Sequence, residues 1–145
     1  MVTPTHTGLT SLIAGAVFCA LASSAAAGPI DTFRSLCMSN LGNPTAIAQA
    51  GKVAGFDLIE LGADSFMGSR DSTDESLQIN AFTSNKFECA VITSDVADPT
   101  AFRDQFFQSI GIPHSGGEAR GTVAGQSYTF KHDTNGGEAL VVFAN

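Results

Sequence analysis

Histidine, serine, carboxylate and cysteine side chains are the groups in this chain able to do chemistry, so their spacing is read first. His114, His132 and Asp133 are the residues that a metal ion or a hydrolytic mechanism would use. A zinc site needs three or four ligands converging on one point, so both histidines would have to meet around carboxylates. Each histidine stands instead in a stretch that reads as solvated turn: His114 between Pro113 and Gly116-Gly117, His132 shortly before Asn135-Gly136. A serine nucleophile needs a base in reach and an orienting group behind that base. Ser115 beside His114, or Ser127 with His132 and Asp133, supply the types, but neither serine lies in the G-x-S-x-G turn that would expose its hydroxyl. The expectation is two separate, exposed histidines, with no catalytic group and no metal or cofactor assigned. A small hydrolase or metal-dependent enzyme built on His114, His132 and nearby carboxylates stands as the alternative.

The acidic clusters Asp57/Glu60/Asp64 and Asp71/Asp74/Glu75 offer oxygens to a hard cation, yet neither follows the D-x-[DN]-x-[DN]-G pattern of a calcium loop. Asp133 to Glu138 comes closer, but its Asn-Gly is already accounted for as a hairpin turn. Gly116-Gly117 and Gly136-Gly137 have no following helix or lysine, so they are turns rather than phosphate cradles.

Residues 62–76 are rich in turn formers and read as a long loop. Phe66 and Met67 are its only large apolar residues, and Arg70 follows. Aromatic residues, Met and Arg are enriched at the centre of partner-binding surfaces, which makes Phe66, Met67 and Arg70 the candidate partner-binding loop. The competing reading folds Phe66 under its own loop as part of the core.

The residues before Gly28 differ from the rest. All 7 Lys and Arg and all 14 Asp and Glu lie after Ala27, while Leu9 to Ala27 is apolar and rich in small residues, ending Ala25-Ala26-Ala27. An apolar core closed by a small-residue site predicts a cleavable secretory signal peptide over 1–27, cut after Ala27 or Ala26. The departure is at its start, where His6 and the α-amine stand in place of Lys or Arg. An uncleaved anchor competes, but the abundance of Ala, Gly and Ser disfavours it. Cleavage removes Cys19 and leaves Cys37 and Cys89, which in an oxidising compartment predict one structural disulfide. The pair lacks C-x-x-C spacing, so a redox-active dithiol is disfavoured.

What positions these groups is legible in part. Pro29 to Asn40 has helical spacing at Phe33, Leu36 and Cys37. Asn43-Pro44 opens a second helix that Gly55 stops, and Asp98-Pro99 a third, with Phe102, Phe106 and Ile110 on one face and Gly111 at its end. Leu77 to Phe82 and Phe87 to Thr93 read as strands joined at Ser84-Asn85. The second is apolar on both faces, as a central strand should be. His114 to Gly121 reads as a Gly-rich connection, and Gln126 to Lys131 with Ala139 to Ala144 as a final hairpin. Asn43-Pro44-Thr45-Ala46-Ile47 echoes Asp98-Pro99-Thr100-Ala101-Phe102, which suggests a tandem α-β-β duplication.

The fold class expected is α+β: a two-layer sandwich over residues 28–145, helices on one face of a mostly antiparallel four-stranded sheet. The net charge of −7 repels phosphate backbones and anionic lipid, which argues against nucleic acid or a membrane surface as partner. No motif defines an activity. The expectation is a non-enzymatic periplasmic or secreted binding module acting through the open face of its sheet or through loop 62–76, its partner an envelope or secreted protein or a small ligand.

Overall fold

The computed structural model describes residues 28–82, 86–94 and 96–145. The leader with Cys19, and the turn at Ser84-Asn85, lie outside the described residues.

Three helical segments form where caps and apolar spacing place them. Helix α1 (Pro29–Phe33) runs into a π-helical turn (Arg34–Met38), burying Phe33, Leu36 and Cys37. Helix α2 (Pro44–Val53) begins at Asn43, whose Oδ1 accepts from the Ala46 N–H at 3.0 Å. Helix α3 (Pro99–Ile110) repeats the device: Asp98 accepts from the Ala101 N–H at 3.0 Å. These bonds satisfy amides that the first turn of a helix leaves unpaired. Gly111 ends α3 at φ 68°, a left-handed conformation that a side chain would disfavour.

Among the described residues the sheet has eight strands rather than four, all antiparallel. They are β1 (Asp57–Gly62), β2 (Ser65–Arg70), β3 (Glu75–Phe82), β4 (Lys86–Thr93), β5 (His114–Ser115), β6 (Glu118–Val123), β7 (Gln126–Asp133) and β8 (Glu138–Ala144). Their spatial order is β1-β2-β3-β4-β8-β7-β6-β5. Each half of the chain therefore lays down helix and then four strands, and the fourth strands of the two halves meet in the middle through pairs such as Cys89 with Val142. The four strands expected from sequence are β3, β4, β7 and β8, the apolar centre. The expected α-β-β unit is corrected to a helix and four strands.

The loop expected over 62–76 is corrected as well. Those residues make the β1–β2 turn, strand β2, the β2–β3 turn and the start of β3. Similarly, the connection expected at His114 to Gly121 holds β5 and most of β6.

One face of the sheet carries the core. Register aligns Phe66, Ile79, Cys89, Val142, Phe130 and Ala119 across β2, β3, β4, β8, β7 and β6, all buried. The helices lie on this face: Cys37 bonds to Cys89, Gly51 of α2 sits against Leu77 and Leu58, and Phe102 and Phe107 of α3 meet the rings of His132 and His114. Cys37 and Cys89 are fully buried with Cα atoms 5.8 Å apart, joining the helical layer to a central strand.

Candidate functional site

Strand alternation decides which side chains face the helices and which do not. The two histidines both point toward the helices, from different strands. His114 pairs in register with Ala119, and Ala119 with Phe130, two residues from His132. Strand spacing then puts the two Cα atoms roughly 12 Å apart. His114 is exposed; its ring stacks on Phe107 at 4.3 Å, and its Nδ1–H donates to the Gly116 carbonyl at 2.9 Å. Its orienting partner is thus a carbonyl, not a carboxylate. The His132 side chain is 4% exposed, lies edge-on to Phe102 and bonds through Nε2 to Glu138. The expectation of a solvated turn therefore fails for His132: the strand begun at Gln126 runs two residues further than its apolar pattern suggests.

Neither serine completes a triad. Ser127 is exposed on the face opposite His132, five residues away on the same strand. Ser115 shares an open hollow of about 660 Å³ with Pro113, His114, Glu118 and Arg120. Asp133 points to the face opposite His132 and accepts from the Asn135 N–H at 2.9 Å. Among the described residues no three His, Cys, Asp or Glu side chains are grouped to hold a metal ion.

Of the candidate loop residues, only Met67 is presented to solvent, at 42% exposure. Phe66 is 8% exposed and belongs to the core. Arg70 is committed inward: its Nη2 meets Glu75 Oε2 at 2.6 Å and its guanidinium lies 4.9 Å above the Phe56 ring. Thr32 donates to the same carboxylate oxygen at 2.8 Å, and Arg70 also donates to the Ala54 carbonyl at 3.3 Å. Glu75, Thr93 and Glu138 are in register across three strands, so one end of the helix-facing side is polar. Every buried side-chain nitrogen and oxygen among the described residues has a partner. With its groups bonded to one another, this end braces the fold.

The opposite face carries no helix among the described residues. Its middle is apolar: Ala90 and Ile92 on β4, and Ala139, Val141 and Phe143 on β8. Ala90 is 5% exposed and the other four are half-buried by their neighbours. Polar groups surround this patch on both sides. Gln78 and Asn80 border it on β3, with Asn80 donating to Glu88 at 2.8 Å. On the other side Lys131 lies 5.5 Å from the centre of the Phe143 ring and 3.8 Å from Glu118. Sequence reasoning named the open face of the sheet but no residue on it, although Ala139 to Ala144 is apolar at both parities, as β4 is.

Fold and face together define the chain as an α+β protein with an open antiparallel sheet, one side covered by helices and the other without one among the described residues. The chain matches no family model, no curated protein and no solved structure.

Proposed function

We propose that the chain is an exported, non-enzymatic binding module that engages an envelope or secreted protein through the open face of its sheet. The observation that carries this reading is the apolar centre on β4 and β8, bordered by Gln78, Asn80, Glu88, Lys131 and Glu118. An apolar middle with a polar rim is how protein-binding surfaces are built. Export is supported by the leader pattern and by the bond between Cys37 and Cys89, since such bonds persist in oxidising compartments. Among the described residues no helix is long and apolar enough to cross a membrane. The net charge of −7 favours a protein partner over nucleic acid or anionic lipid. The same reading takes the two helix-plus-four-strand halves as tandem copies of one unit.

The test places a photo-reactive side chain at Val141, on the open face, and separately at Val53, exposed at the end of α2. Cross-linking in the native host gives one defined protein adduct from Val141 and none from Val53, and Phe143→Glu removes it. Equal labelling from both positions, or a metal or small molecule retained in native mass spectrometry, overturns the reading.

A further inference from the structure

The two edges of the sheet are built differently. On one side β5 has only two residues, preceded by Pro113, and the neighbouring β6 displays Glu118 and Arg120. Short strands, proline and mixed charge are the usual means of stopping an edge from pairing with another chain. The other edge lacks these three; it has a bulge between Glu60 and Gly62, which leaves Asp57 to Glu60 as its regular stretch. Strand β1 has six residues with no proline and no lysine, and nothing pairs with its outer side among the described residues. Ile59 and Leu61 are 58% and 53% exposed, and Ile59 is in register with Met67, 42% exposed, on the open face. The charges here are of one sign: Asp57 and Glu60 on the strand, with Asp64 in the turn that follows, all exposed.

From this asymmetry we infer that β1 is a docking edge for an extended segment of a partner protein with alternating apolar and basic residues, added as a ninth strand. Backbone bonding to the free edge supplies affinity, and alternate side chains supply selection. On the open face an apolar residue of the incoming strand meets Ile59, extending the apolar pair that Ile59 makes with Met67. On the other face a Lys or Arg meets Glu60, which is in register with Phe66. A second copy of this chain is disfavoured as occupant, because β1 carries no basic residue to meet Asp57 or Glu60 of a paired copy. This inference stands apart from the open-face reading, since it rests on the edge and not on β4 and β8.

The test mixes the full protein with a capped hexapeptide alternating Lys and Val, and with its Glu–Val counterpart. Amide hydrogen exchange locates the binding, and titration measures it. The Lys–Val peptide slows exchange in 57–62 and binds at least about tenfold tighter than the Glu–Val peptide, with the difference shrinking as salt is added. Asp57→Lys with Glu60→Lys reverses the preference. Ile59→Lys weakens both peptides, and all variants keep the parent melting temperature because the altered residues are exposed. The inference is overturned by protection on β4 and β8 instead of β1, by equal binding of the two peptides, or by protection of 57–62 through self-association. A failure here leaves the Val141 cross-link unaffected, so the two readings fall separately.

Discussion

Reducing the bond between Cys37 and Cys89 is the perturbation whose size follows most directly from the structure. The bond closes a loop of 52 residues, and tying the ends of that loop removes entropy from the unfolded chain worth about 4 kcal/mol. Both cysteines are fully buried, so the two thiols must also move apart to van der Waals distance within the core, a packing cost that adds to the entropic effect. For a domain of this size each kcal/mol moves the melting temperature by about 4 °C, so reduction lowers it by roughly 16 °C. The protein is unfolded in denaturant with and without a phosphine reductant and refolded. Masses are checked for the two hydrogens gained, and both forms are then melted. In urea the midpoint falls without a large change in slope if the folded state is intact. A shift below about 4 °C, with the mass change confirmed, would refute the chain-entropy reasoning and leave the bond as a passenger on an already sufficient core. Cys37→Ala with Cys89→Ala should reproduce the loss with a small added cavity cost.

Replacing Glu75 by Ala strips Arg70 of its buried partner and should cost about 3–5 kcal/mol by urea unfolding, whereas replacing both by Leu recovers most of the loss. Phe66→Ala should cost about 3–5 kcal/mol as a core truncation, and Met67→Ala close to nothing. The glycines of β2 and β6 separate cleanly. A methyl at Gly68 would sit 1.9 Å from the Asp57 carbonyl oxygen, so Gly68→Ala should destabilise by about 1–3 kcal/mol and loosen β1 in hydrogen exchange. At Gly121 the obstacle is the movable tip of Ile112, 2.9 Å away, so the same change there should be milder. Ala124 stands at φ 50° before Gly125 at φ 82° in the two-residue β6–β7 turn, where Asn is preferred, so Ala124→Asn should raise stability by about 0.5–1 kcal/mol.

The parts of the fold legible from sequence are those where a local rule acts alone. Asn43-Pro44 and Asp98-Pro99 announce helix starts because a capping carboxamide or carboxylate and a proline suit the first turn in any context. Strands β4 and β8 show as apolar runs, and β3 as an apolar alternation, because they are buried in the middle of the sheet. Strands β1, β2 and β6 escaped because their helix-facing positions are only partly apolar. On β2 that side holds Phe66, then Gly68 beneath the β1 backbone, then Arg70 neutralised by Glu75. The alternation is real, but glycine and a paired arginine take the places where a hydrophobe would reveal it. Arg70 was drawn into the partner-binding candidates for the same reason: its buried carboxylate partner follows from register and packing, which no residue count discloses. An open face was legible from a sheet with helices on one side, but its residues were not, because they depend on which parity of β4 and β8 faces away from the helices.

The meeting of β4 and β8 at the middle of the sheet also orders events in time. On one side Thr93 pairs with Glu75 of β3, but on the other its partner is Glu138, in the last strand described. The first half can form its helices and hairpins early, but its most apolar strand keeps an open margin until β8 arrives. Pairing across such a separation is slow and leaves a sticky margin meanwhile. On the export route proposed above, that schedule withholds closure of the sheet until β8 has followed β4 through a translocation pore.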